Sequence, residues 1–397
     1  MTSTASAPVQ QPPKLTSITG LRFVAAFAVF LFHLGLMQLF SDHWLTGSYL
    51  HAVSKAGWVG VSFFFTLSGF ILTWSARADD TPARFWRRRL FKIFPNHVVT
   101  YILAMVLFAS SATGFGTAVL NLFLLQAWDP SQSVFFSVNN PSWSLGCELL
   151  FYLLFPLLHR ALQRVRPNLL WWAAGVLVAA VMVLPAIADA LLPYGPVFVA
   201  GDRPMSSYVF WLVYVMPVTR LLDFVLGILL ARIVLTGRWP NIPLTPLLVL
   251  FAGAYYLALH LPSAYGLVAA TVIPLSLIIP AAASLDTLNK RTFLRNRVWQ
   301  WLGEISFAFY LLQWPVLYYG RKLVGMTHQV STPAGIGIMV LWLAISLVLA
   351  SLLYAFVERP VMRRWSVSPR YRAQREKVAD PTDEVLTGRE VAAGSES

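Results

Sequence analysis

The sequence predicts an all-α, polytopic membrane protein of about ten transmembrane helices, with both termini on the cytoplasmic side. Three observations predict it. First, 57% of the 397 residues are apolar and 12% are charged, against about 25% charged in an ordinary soluble domain. A soluble chain of this length has no interior large enough to hide so much apolar surface. Second, the apolar residues fall into runs of the roughly 20 residues needed to cross a hydrocarbon core. Third, Lys and Arg sort to alternate loops, the asymmetry that orients membrane helices. The same composition excludes other classes. A disordered chain would be poor in apolar residues. The net charge is +13, but long apolar runs separate the basic residues, which argues against a nucleic-acid binder. Cys147 is the single cysteine, so there is no disulfide scaffold.

Ten runs fit a span: 18–39, 57–76, 95–113, 143–163, 169–192, 219–235, 243–260, 265–284, 300–321 and 334–356. The first begins near Ile18 and is too long for a cleavable signal peptide. Segments 116–127 and 206–218 are apolar but short, and read as interfacial or re-entrant pieces. With the N-terminus inside, 25 of the 30 Lys and Arg lie on the cytoplasmic side; only Lys55, Arg203, Arg220, Arg321 and Lys322 lie outside. Inverting the topology would reverse that split. Residues 1–14 read as a flexible arm, 15–365 as the membrane-embedded domain, and 366–397 as a disordered cytoplasmic tail whose basic start can lie on anionic lipid. Any chemistry is therefore expected within the membrane region or its loops.

Ionisable residues inside spans are costly and mark functional sites. His33 lies within the first span, and Arg22 precedes it by eleven residues. Eleven residues turn a helix about 20° past three full turns, so both share one face, about 16 Å apart along the axis. His33 is about 22 Å from the cytoplasmic start of that span, in the outer half of the core. Glu148 is about 7–8 Å from the outer start of the fourth span, at a similar depth, so the two are expected to meet. A neutral His can take a proton from a hydroxyl, and a nearby carboxylate can orient it. The alternatives are plainer: a structural histidine, a water-exposed Glu148, and a snorkelling Arg22. The second loop carries the densest basic cluster, with Arg84, Arg87, Arg88, Arg89 and Lys92. Positive-inside anchoring accounts for such a loop, and so does a phosphate-bearing cytosolic ligand, which suits Arg geometry. Arg220 and Asp223, three apart on one helix face, are expected to pair structurally. Glu358, before the Pro360 stop signal, is placed to bond a cytoplasmic-side Arg. No phosphate loop, dinucleotide fingerprint or metal-ligand cluster is present in the sequence, and no metal is expected.

These residues resemble a known family. Thr19-Gly20-Leu21-Arg22 leading to Phe32-His33 resembles the opening helix of the acyltransferase-3 family of membrane O-acyltransferases. Gly60 to Phe70, with Ser68-Gly69-Phe70, resembles its second helix. The basic cluster before Ile93-Phe94-Pro95 is similar to its Arg-x-x-Arg segment: Arg84 and Arg87 fit the strict pattern, Arg89 and Lys92 the spacing to Pro95. Pro141-Ser142-Trp143-Ser144-Leu145 through Glu148 and Phe151-Tyr152 resembles its Trp-Ser-Leu motif, and Leu302-Gly303-Glu304 through Trp314-Pro315 and Glu358-Arg359-Pro360 its last helices. The similarity runs in order from 18 to 362. One departure is Gln313, where the family often has His before Trp-Pro; it argues against proton transfer at that position.

The resemblance implies a bacterial plasma-membrane enzyme that moves an acyl group, acetyl or short-chain, from cytosolic acyl-CoA to a hydroxyl, with no bound cofactor. The acceptor would be a macrolide or other secondary metabolite, since the wording around Arg77, Asn96-His97 and Cys147-Glu148 is similar to the macrolide O-acyltransferase subgroup. A cell-surface polysaccharide or lipid-linked sugar is the alternative. In that scheme Arg22 and the basic cluster hold the CoA phosphates, and His33 deprotonates the acceptor. Glu148 orients His33 or binds the acceptor, and Ser68 or Arg22 faces the oxyanion. Trp143 and Ser144 count among the substrate-binding residues. A covalent acyl relay through His33 or Ser68 is less favoured. The rival from another class is a lipid or sugar transporter, for which paired Gly- or Pro-interrupted helices are lacking.

Overall fold

A computed structural model describes residues 13–77, 80–199 and 204–365. Most of the proposed arm and all of the proposed tail lie outside the described residues. The N-terminal half holds α1 (Thr16–Leu36), α2 (His43–Val53), α3 (Ala56–Trp74), α4 (Pro82–Ala104), α5 (Phe115–Leu122), α6 (Gln132–Phe135), α7 (Trp143–Gln163) and α8 (Leu170–Leu191). A short antiparallel pair follows, β1 (Val197–Val199) and β2 (Pro204–Ser206). Then come α9 (Ser207–Phe210), α10 (Pro217–Leu235), α11 (Leu244–His260), α12 (Ser263–Leu267), α13 (Val272–Thr287), α14 (Arg297–Val324), α15 (Thr332–Leu353) and α16 (Arg359–Trp365). π-helical turns extend α4, precede α10 and join α15 to α16.

The ten predicted runs are helical, except that 265–284 is split by a turn at 268–271 between α12 and α13. Seven helical stretches among the described residues are long and apolar enough to cross a membrane: Thr16–Leu36, His43–Trp74, Pro82–Ala109, Asn140–Gln163, Pro167–Leu191, Ala264–Thr287 and Thr332–Trp365. The helices at 219–235, 243–260 and 300–321 are shorter or more polar. α10 carries Arg220, Asp223 and Arg232, α11 has only 17 residues, and α14 mixes Gln300, Glu304 and Gln313 into its 28. Interior prolines in α4, α7, α8, α13 and α14 are tolerated because helices in membranes re-satisfy freed backbone groups against neighbours.

The helices meet where side chains vanish. A Cβ on Gly69 would sit 1.9 Å from Phe224 O, and one on Gly227 would sit 1.9 Å from Thr66 O. α3 and α10 therefore cross backbone to backbone, the small-residue packing that membrane helices favour. Gly303 brings α14 equally close to α1, its missing Cβ lying 2.1 Å from Thr19 O. α1 is the partition between two apolar clusters. Ile18, Val29 and Phe32 join the cluster of α3, α7, α10 and α13; Phe23, Phe30 and Leu34 join that of α14 and α15. Leu15, at the start of α1, offers no side-chain cap. Asp286, on the last turn of α13, supplies one: it accepts from Ser17 N at 2.8 Å, Ser17 Oγ at 2.7 Å and Thr16 Oγ1 at 3.0 Å. A carboxylate at a helix N-terminus satisfies orphan amides and the dipole together.

Both short segments are broken into short helices: α5 and a 3-10 turn in one, α9 and a π-helical turn in the other. Residues 115–128 fold as α5 and a 3-10 turn around a buried polar network. Asn121 donates to Ser137 O at 2.8 Å, Gln126 donates to Ser142 Oγ at 3.2 Å, and His97 Nε2 faces Asn121 O at 3.0 Å. Arg220 and Asp223 do pair, at 2.9 Å, with both side chains fully buried.

Candidate active site

α1 presents one face to two cavities, one above the other. The first, about 430 Å³, is lined by Lys14, Arg22, Arg77, Arg89 and Lys92 on its cationic side and by Glu148 as the single carboxylate among the described residues. Ser68, Ser144, Tyr152, Ser306 and Tyr310 add hydroxyls. The second, about 230 Å³, holds His33 together with Phe32, Trp58, Gln132, Asn140 and Trp143. The two share Val61 and Tyr310 as wall residues. The predicted common face of Arg22 and His33 is thus what the cavities use: Arg22 serves one and His33 the other.

The expected meeting of His33 and Glu148 does not occur, and Glu148 is not the group that orients His33. Glu148 turns with Ser144 and Tyr152, one helical turn to either side of it, into the first cavity, where it accepts from Tyr152 OH at 3.0 Å. The depth estimate is what fails: on α7 it is Trp143 that reaches the level of His33 and lines the second cavity with it, whereas Glu148, five residues further on, lines the first with Arg22. The polar side chain beside His33 is Gln313. His33 Nδ1 and Gln313 Oε1 are both buried without a hydrogen-bond partner among the described residues; as N–H and acceptor they would satisfy each other. That bond would hold Nδ1 protonated and leave Nε2 with a free lone pair. The ring is further fixed edge-on to Trp314 at 5.1 Å. Gln313, which the sequence presents only as a missing histidine, is thus the residue next to the candidate base.

The basic cluster is not a loop. Thr81 caps α4, Pro82 occupies its first turn, and the cations project from successive turns in different directions. Arg89 and Lys92 point into the first cavity; Arg84 and Arg87 do not line it. Arg84 is exposed. Arg87 Nε donates to Trp365 O at 2.8 Å, tying α4 to α16. Arg88 pairs with Asp80 and lines a third cavity of about 500 Å³, with His159, Arg160 and Arg232, that shares Arg77 and Arg89 with the first. Of the two pairs that the sequence leaves open, Arg89 and Lys92 are the ones that line this cavity. Arg89 lies over the rings of Phe85 and Tyr152, at 5.5 and 5.8 Å, a stacking open to guanidinium groups. Lys92 pairs with Glu358, which also accepts from Asn96 Nδ2 at 2.5 Å; the partner of Glu358 is therefore a Lys and not the expected Arg.

Trp143 and Ser144 are neighbours in sequence that serve different cavities. Ser144 Oγ lies 2.9 Å from Tyr310 OH and donates to Pro141 O at 3.0 Å. Pro13 and Lys14, placed in the flexible arm by the sequence, line the first cavity, with Pro13 O accepting from Trp74 Nε1 at 3.1 Å. Arg77, Tyr152, Tyr310 and Trp58 join the site without having been expected there. Tyr152 is legible as the residue one turn beyond Glu148; Trp58 carries no local signal.

A bundle of apolar helices around a cationic cavity that meets a histidine-lined one defines a multi-pass membrane protein with a polar site inside it. The acyltransferase domain model of the acyltransferase-3 family matches residues 15–357, and the chain belongs to that family of membrane O-acyltransferases. It is 38% identical over 366 residues to acyltransferase MdmB of Streptomyces mycarofaciens, covering 89% of this chain and 93% of that protein. It is 25% identical to the peptidoglycan O-acetyltransferase OatA of Listeria monocytogenes over 87% of this chain but 56% of that longer protein. It is 26% identical to the putative membrane-bound transacylase BcsY of Komagataeibacter xylinus, over 86% of this chain and 81% of that protein. No solved structure matches.

Proposed function

We propose that the chain transfers an acetyl or other short acyl group from acyl-CoA to a hydroxyl of a sugar-containing or secondary-metabolite acceptor, such as a macrolide. The observation that carries the reading is the stacking of a cationic cavity and a histidine-lined cavity along one face of α1. Both termini are cytoplasmic in this reading and the ten helices all cross a bacterial plasma membrane, so the Lys14 and Arg77 end of the first cavity faces the cytosol.

Arg22, Arg77 and Arg89 take the phosphates of the donor, with Lys92 already neutralised by Glu358. Glu148 balances this cationic wall and fixes Tyr152. The thioester reaches the shared wall at Tyr310. His33 Nε2 removes the proton from the acceptor hydroxyl as its oxygen attacks the thioester carbonyl; the C–S bond breaks and the CoA thiolate leaves, taking up that proton. Hydroxyls near the shared wall, Ser68 and Ser144 among them, are the nearest donors for the developing oxyanion. General-base catalysis contributes about 10²–10⁴-fold. Purified His33→Ala should therefore lose transfer by that factor while binding acetyl-CoA within about twofold of the parent. Near-parental transfer by a folded His33→Ala protein would remove His33 as the base.

A further inference from the structure

A wall residue of the second cavity carries a polar group left unsatisfied among the described residues. Trp58 is 6% exposed, it lines the cavity, and its Nε1 has no hydrogen-bond partner there. The ring cannot turn away to find one. It is held at 4.8 Å from Phe32, 4.9 Å from Tyr214 and 5.3 Å from Phe210, and the Trp58 carbonyl accepts from Tyr214 OH at 2.6 Å. A buried N–H without an acceptor costs on the order of 1–3 kcal/mol, and most buried indoles find a partner. His33 Nδ1 in the same cavity is likewise buried. At the mouth stand two amides: Gln132, exposed, and Asn140, half-buried.

The rest of the lining is aromatic or aliphatic: Phe32, Phe136, Trp143, Phe198 and Tyr310 among others, with no Asp, Glu, Lys or Arg among the described residues. Such a wall rejects a charged ligand, because an unpaired charge in this setting has nothing to neutralise it. At about 230 Å³ the space is below the roughly 300–1,000 Å³ of sites that enclose a drug-sized molecule. It admits one ring and leaves the remainder of a larger acceptor at the mouth.

We propose that this cavity is the acceptor subsite, and that it recognises a single neutral, hydroxyl-bearing ring of the sugar class through Trp58 Nε1. The proposal rests on the reading of His33 as the base. The indole N–H donates to a ring or hydroxyl oxygen, the aromatic faces cover the ring's C–H surface, and Gln132 and Asn140 bond the outward hydroxyls. One further hydroxyl then faces His33. Trp58 thus sets acceptor affinity and takes no part in donor binding.

The test uses the fact that Cys147, the single cysteine, is buried. Gln132→Cys, in the full chain, places one reactive thiol at the mouth. Its labelling by a maleimide is followed with methyl α-D-glucopyranoside, methyl β-D-galactopyranoside, glucose 6-phosphate or acetyl-CoA present. The expected result is saturable protection by at least one neutral glycoside and none by glucose 6-phosphate. Adding Trp58→Phe, which keeps the ring and loses the N–H, should weaken that protection roughly tenfold. If Trp58→Phe disturbs folding, Asn140→Ala replaces it, with weaker protection again expected. No protection by either neutral glycoside, equal protection by the phosphorylated sugar, or protection unaltered in the variants would overturn the proposal. Labelling needs no catalysis, so this outcome is separate from that of His33→Ala.

Discussion

The two cavities meet at Val61 and Tyr310, yet among the described residues five cations line one and none lines the other. The difference follows from what each depth of a membrane tolerates. Cations near the end of a span reach water or paired carboxylates, as Lys92 does through Glu358, whereas deeper charges are expensive. A neutral imidazole and an indole N–H are the polar groups that can be left in a dry site. In the proposed function the charged cavity takes the phosphorylated substrate and the neutral one the hydroxyl-bearing substrate. α1 is the element common to both.

Substitutions should respect that division. After loss of His33, the largest expected effect is on the donor side. Arg89→Ala removes a cavity cation held over Phe85 and Tyr152. Charge-assisted bonds contribute about 1.5–3 kcal/mol, so acetyl-CoA should bind roughly 10–100-fold more weakly, with the acceptor KM unchanged. Calorimetry with acetyl-CoA and a two-substrate kinetic series would read both. A change confined to the acceptor KM would break the assignment of the first cavity to the donor.

Gln313→Leu should act on the other side of the shared wall and more mildly. It removes the acceptor that Gln313 Oε1 would offer His33 Nδ1, and with it the bond that would fix the tautomer and orientation of the ring. We expect kcat to fall roughly tenfold, about 1.4 kcal/mol, with acetyl-CoA affinity unchanged and the acid limb of the pH–rate profile displaced. A merely structural Gln313 would lower stability without moving that profile.

The sequence makes much of this legible wherever the information is local. The Arg22–His33 face follows from helical period alone, and the ten helical runs follow from apolar length. Geometry between helices is what local pattern does not supply. Apolar length alone puts His33 and Glu148 at one level, whereas the packed helices set Trp143 beside His33 and Glu148 beside Arg22. The basic cluster reads as a loop by charge alone, although Thr81 and Pro82 are a cap and first-turn proline, a start signal available in the sequence. α10 carries its charges inside the bundle, where Arg220 and Asp223 pair fully buried and away from lipid. Trp58 is invisible because its importance lies in a missing partner, which no local pattern encodes.

The smallest expected effects sharpen where the donor cavity ends. Arg84 and Arg88 precede Arg89 on α4 but point elsewhere: Arg84 to the surface, Arg88 to Asp80 in the third cavity. Exposed or already paired cations contribute little, about 0–1 kcal/mol. Arg84→Ala and Arg88→Ala should therefore change acetyl-CoA affinity by less than about fivefold, an order of magnitude below Arg89→Ala at its upper end. The third cavity, however, shares Arg77 and Arg89 with the first. If Arg88→Ala weakens acetyl-CoA as much as Arg89→Ala does, the nucleotide end of the donor lies across that boundary. If dephospho-CoA thioester then binds parent and Arg88→Ala equally, Arg88 bonds the 3′-phosphate, and the cationic half of the comparison extends over both cavities.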